Sequence, residues 1–288
     1  MIAILGGLGA AVAWAVSTLC SSRSSRLIDP ASVVAWMMLI GLAITAPLAA
    51  LDGVPARLGP GSGAWLAVSG VGNVGGLVLT YRALRIGQVA LVAPLVSTEG
   101  AVAAVIALIA GEPLAPGVAL TLLAIVAGVC LASTPDASRS DAATVPAGAA
   151  RPSAGVALAM AAALAFGVSL YATARAGAEL PVAWVVLSAR AIGAVALALP
   201  LAAAGRLELT RPAVPLVVTS GLCEVLGFYS FTTGARHGIA VAAVLGSQVG
   251  GLAALGAYLG FGERLTRQRT LGVCTMLAGV AVLSALRG

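Results

Sequence analysis

Three charged residues fall inside long apolar runs of this sequence. Glu99 is the midpoint of the run 88–110, Glu224 sits in the middle of 213–233, and Arg190 lies about two residues from the centre of 181–204. All four aspartates, and Glu112, Glu179, Glu208 and Glu263, fall between runs instead. A charge at the centre of a membrane helix costs about 2.5–3.5 kcal/mol on insertion scales, so each of the three needs a partner or a wet cavity. A glutamate can hold an ammonium group, or take up and release a proton. A guanidinium pairs bidentately with a carboxylate. The three together match the two ends of an amino acid, with one carboxyl left for a proton. Asn73, 151 residues before Glu224, marks a polar site that recurs. Gln248, Ser97 and Thr98 add amide and hydroxyl groups at similar depth, and Pro94, before Glu99, can bend the helix that carries it. Trp14 and Tyr81 can stack on an aromatic ring or a cation.

Much other chemistry is excluded. All sixteen basic residues are arginine, which rules out a phosphate-loop lysine and a lysine Schiff base. A single histidine, His237, rules out the two-histidine zinc helix. Cys20, Cys130, Cys223 and Cys274 are scattered along apolar runs and read as small packing residues. Gly70-x-Gly-x-x-Gly75 matches a dinucleotide fingerprint but lies inside an apolar run rather than between a strand and a helix. Ser169 and His237 are the sole candidates for an intramembrane serine hydrolase, and His237 reads as a turn residue between Arg236 and Gly238. No enzyme, cofactor or metal site is therefore expected. The expected partners are a small-molecule substrate and the lipid bilayer, with the chain a monomer or a homodimer.

What must position these residues follows from composition. Of 288 residues, 60% are hydrophobic and only 9% are charged, with a mean hydropathy of +1.06. Soluble domains carry about 25% charged residues, so so few cannot cover a water-facing surface. The net charge of +6 would suggest nucleic acid in a soluble protein. Here the arginines stand at the ends of apolar runs, where they read as topology signals, and no nucleic-acid partner is expected. Ten runs are long enough to cross a bilayer, at about 2–20, 31–51, 64–84, 88–110, 117–133, 154–172, 181–204, 213–233, 239–259 and 269–286. The first lacks the basic start of a signal peptide, and more membrane follows it. Residues 134–152 are the one polar, low-complexity stretch and read as a linker.

The chain repeats itself. A shift of 151 residues lays Ser69-Gly70 on Ser220-Gly221, Gly76 on Gly227, Arg85 on Arg236, Gly87 on Gly238, and Gly111-Glu112 on Gly262-Glu263. Pro30 and Pro181 keep the same shift. The expected units are 1–133 and 153–288, five helices each. Five is odd, so the two enter the membrane from opposite sides, and inverted repeats are the architecture of alternating-access carriers. The odd-numbered connections hold eleven arginines; the even-numbered connections and the termini hold four. The positive-inside rule then puts both termini outside the cytoplasm.

These residues resemble an EamA-type member of the drug/metabolite transporter superfamily. The markers are Gly111-Glu112-Pro-Leu and Gly262-Glu263-Arg-Leu closing the fourth helix of each repeat, and Ala127-Gly128-Val129 and Ala278-Gly279-Val280 in each last helix. Trp14 and the Pro181…Arg190 spacing fit as well. Phe166 departs from the pattern, standing where a tryptophan is expected, and repeat one has no arginine matching Arg190. The resemblance implies an all-α, ten-helix fold in which the first four helices of each repeat surround a cavity. It implies transport of small metabolites, often export of amino acids and sometimes of drugs, across an inner membrane of bacterial type. It also implies cytoplasmic termini, against the arginine count.

Overall fold

The computed structural model describes residues 1–86, 92, 95–132, 152–249, 252 and 267–287. They are helical, with no strand among the described residues. We number the helices α1 (Ile2–Ser24), α2 (Pro30–Asp52), α3 (Pro60–Ile86), α4 (Glu99–Ile109), α5 (Pro116–Ala132), α6 (Pro152–Glu179), α7, α8 (Val214–Ala235), α9 (Ile239–Gly246) and α10 (Arg267–Arg287). α7 begins as Val182–Gly193, widens into a π turn at Ala194–Ala198 and closes as Leu199–Ala203. Proline stands at the first helical position of α2, α3, α5 and α6, where its missing N–H is no loss. At α2 the Asp29 carboxylate also accepts from Ala31 N at 3.0 Å.

Six helices are long and apolar enough to cross a membrane, and three shorter ones are apolar, among the described residues. Leu5, Leu51, Ile109, Leu120 and Leu123 turn more than half of their surface outward, as a lipid-facing side chain would. The protein is a multi-pass membrane protein.

The run 88–110 is not one helix. Residues 95–96 are helical, Ser97 and Thr98 form a turn, and α4 starts afresh at Glu99. Thr98 Oγ1 donates to Leu95 O at 2.6 Å and stabilises that turn. The run 239–259 is interrupted at the equivalent depth: α9 stops at Gly246, and Ser247 and Gln248 form a turn in which Ser247 Oγ donates to Val244 O. Hydroxyls competing for backbone carbonyls are the local cause in both cases. Hydropathy does not register them. Pro94, the stretch 134–151 of the linker, and Gly262-Glu263 lie outside the described residues.

Helices pack in couples that exchange when five is added to or taken from each number. α1 crosses α8, and α3 crosses α6; α1 touches α9, and α4 touches α6; α2 meets α8, and α3 meets α7. α2, α4 and α5 each pack on their own counterparts α7, α9 and α10. The registers run antiparallel: the space over Gly41 is filled by Arg190 and that over Gly193 by Met38, while Gly128 faces Met276 and Gly279 faces Ile125. The side chains repeat this exchange. Trp14 packs on Gly227 and Phe166 on Gly76. Ser17 hydrogen-bonds Ser220 at 2.9 Å, and Ser169 Oγ donates to Ser69 O at 2.6 Å. Trp14 and Phe166, Ser17 and Ser169, and Met38 and Arg190 are each 152 apart, whereas Asn73 and Glu224, and Gly76 and Gly227, are 151 apart.

The Gly-Glu pair has a structural task. Gly111 takes φ +94°, a conformation that favours glycine, and ends the segment. The Glu112 carboxylate then accepts from Ile239 N at 3.0 Å and Ala240 N at 3.3 Å, capping α9 from the other half of the chain. Arg236 does the converse for α6, donating from Nε to Gly177 O at 2.6 Å and from Nη2 to Leu180 O at 3.0 Å.

Candidate functional site

A cavity of about 180 Å³ opens between the two halves of the chain. Trp14 and Thr18 reach it from α1, Asn73 and Leu77 from α3, and Glu99 from the start of α4. Phe166, Ser169 and Leu170 of α6, Glu224 and Phe228 of α8, and Val249 close the other side. The antiparallel crossings α1–α8 and α3–α6 form its two walls. The restarted helix α4 is what brings Glu99 to it.

The two carboxylates differ in their surroundings. Glu224 is tied down: Arg190 Nη2 lies 3.6 Å from its Oε1, and Ser17 Oγ donates to its Oε2 at 3.4 Å. Ser17 is itself fixed by Ser220, whose Oγ donates to Ser17 O at 3.0 Å. Glu99 has no ion pair with any described residue.

Arg190 is fully buried at 0% exposure, whereas the Glu224 side chain keeps 18%. It does not line the cavity. Its Nη1 donates to Met38 Sδ at 3.3 Å, and its Cζ lies 4.7 Å from the centre of the Phe228 ring. Its Nε and Nη2 make no hydrogen bond among the described residues. Trp14 meets Phe228 edge-on at 5.3 Å and Phe231 at 6.0 Å, which makes an aromatic wall continuous with the guanidinium.

Of the residues singled out in the sequence, Glu99, Glu224, Asn73 and Trp14 meet at this cavity. Gln248 is 1% exposed and Arg190 lies behind the wall; neither lines it. The side chain of Tyr81 lies outside the described residues. Sequence reasoning missed Thr18, Ser169, Phe166 and Phe228 as lining residues. Ser169 and Phe166 were within reach, as they are the repeat partners of Ser17 and Trp14 at a spacing of 152. Phe228 carried no signal beyond its type.

The arrangement can bind a small cation or ammonium between a carboxylate with no ion pair among the described residues and three aromatic rings, with amide and hydroxyl groups beside it. Its volume is below the ~300–1,000 Å³ of sites for drug-sized ligands.

A crystal structure of another protein, 20% identical, superposes on this chain with a TM-score of 0.76 and covers 99% of this chain and 96% of that one. At that identity the likeness shows the fold alone. No curated protein matches. The model of the EamA-like transporter family matches residues 1–134, which hold the first Gly-Glu pair, Trp14, Asn73 and Glu99. That family is one of transporters rather than enzymes. The EamA-like resemblance read from the sequence is thus shown, over residues 1–134, by the family's own pattern.

Proposed function

We propose that the protein is a secondary carrier of small, amine-bearing metabolites, amino acids first among them, working by alternating access as two inverted five-helix repeats, 1–133 and 153–288, joined by 134–152. The observation that carries this reading is the cavity itself. Both halves contribute to it, and it presents Glu99, a carboxylate with no ion-pair partner among the described residues. The exchange-related packing and the antiparallel registers support the inverted repeat, because an in-plane twofold axis makes each helix antiparallel to its counterpart. Glu99 meets the substrate's ammonium, and the Asn73 amide is placed to donate to its other end. Release of a proton from Glu99 as the amine binds gives a simple coupling scheme. Export is the direction the resemblance suggests.

Tracer counterflow in proteoliposomes tests this reading. Amino acids and the amines left by their decarboxylation should drive counterflow, and neutral sugars should not. Flux without counterflow, and without saturation, would instead identify a channel. Counterflow by sugars alone would remove the role of Glu99.

The rival within the same family is efflux of lipophilic cations. The aromatic wall of Trp14, Phe166 and Phe228 favours it, and the small volume disfavours it.

A further inference from the structure

Arg190 was expected to read a substrate carboxylate, and its position points to another task. It is the largest fully buried side chain among the described residues. Among the described residues its guanidinium meets Glu224, the Met38 sulfur and the Phe228 ring. A sulfur and a ring offset little of a guanidinium's charge, so Glu224 is the group that balances it.

The exchange of the two halves tells the same story from the other side. Arg190 packs over Gly41, and Met38 packs over Gly193, so the two occupy equivalent places. Glu224 in α8 is likewise the counterpart of Asn73 in α3, and both line the cavity. One half therefore holds a methionine and an asparagine where the other holds an arginine and a glutamate. The fold accepts a neutral couple at this place.

We propose that Arg190 is a positioning residue: from behind the cavity wall it anchors Glu224 and cancels its charge, so that, among the described residues, Glu99 is the one uncompensated charge a substrate's ammonium meets. This rests on the carrier reading above and assigns the three charges of its site. Two free carboxylates would trap an amine. One free carboxylate beside a neutralised one lets it go.

Arg190→Met and the double variant Arg190→Met/Glu224→Asn, which copies Met38 and Asn73, test this. Both are purified in detergent for melting curves and reconstituted for counterflow with a panel of amino acids and their decarboxylated amines. Arg190→Met leaves Glu224 without its counter-charge and should lower both Tm and counterflow, the latter by roughly tenfold or more. The double variant should recover Tm, as expected where two residues act through each other. The ratio of KM for each amino acid to KM for its amine should stay at the wild-type value in the double variant. The proposal is overturned if the double variant melts as low as the single one. It is overturned equally if the double variant folds but loses amino acids while keeping amines, since Arg190 would then bind the carboxylate. If wild type shows no counterflow with any solute, the carrier reading fails, and recovery of Tm alone still decides whether Arg190 serves Glu224.

Discussion

Glu99 and Glu224 are the same residue type at similar depth, and their surroundings give them different work. Glu99→Gln keeps the shape and removes the charge. We expect counterflow of amine-bearing solutes to fall by roughly tenfold or more, the loss that about 1.4 kcal/mol of contact energy implies, with Tm unchanged. Wild-type flux in that variant would make Glu99 structural. Trp14 offers a second prediction at this scale. A Cβ at Gly227 would overlap the indole, so Gly227→Ala should destabilise by about 1–3 kcal/mol, read as a lower Tm. The other half makes the same demand: a Cβ at Gly76 would overlap the Phe166 ring, so Gly76→Ala should lower Tm as well. The three intramembrane charges were legible in the sequence because a charge in an apolar run is conspicuous. Which way Arg190 points was not, because hydropathy gives depth along a helix and not rotation about it. The Met38–Arg190 equivalence was hidden for a simpler reason: it falls at 152 residues, and the alignment that caught the glycines runs at 151.

At the level of helices, the ends read better than the interiors. Proline and Asp-Pro starts, and the glycine after α4, were visible as residue types. The breaks at Ser97-Thr98 and Ser247-Gln248 were not, because a hydroxyl costs a hydropathy sum little while it takes a carbonyl from the backbone ladder. The Gly-Glu pair was recognised as a pattern before its task was visible: Glu112 reaches across to the start of α9. Glu112→Ala should cost about 1 kcal/mol by leaving Ile239 N and Ala240 N without their acceptor. The loss should appear as a lower Tm and as faster cleavage by protease near the start of α9. An unchanged Tm would mean that water replaces the carboxylate there.

For the molecule as a whole, helix parity makes the sharpest demand. Single cysteines placed within 134–151 and at the C-terminus of a cysteine-free variant should react with impermeant reagents from opposite faces. Labelling from one face would end the ten-helix arrangement, and the face that labels at the C-terminus decides between the arginine count and the family's cytoplasmic termini. The all-helical, multi-pass class was readable from the sequence; the exchange of packing partners was not, since it lies in which helix touches which. One departure from that symmetry is local. Six residues separate Gly193 from Pro200, and five separate Gly41 from Pro47. The extra residue falls in the stretch where α7 widens into its π turn, the form a helix takes when one residue is added without breaking it. A wide turn holds one residue more than the α-helix around it, so deleting one residue from Ala194–Ala198 should leave a plain α-helix that still packs on α2, read as a retained Tm.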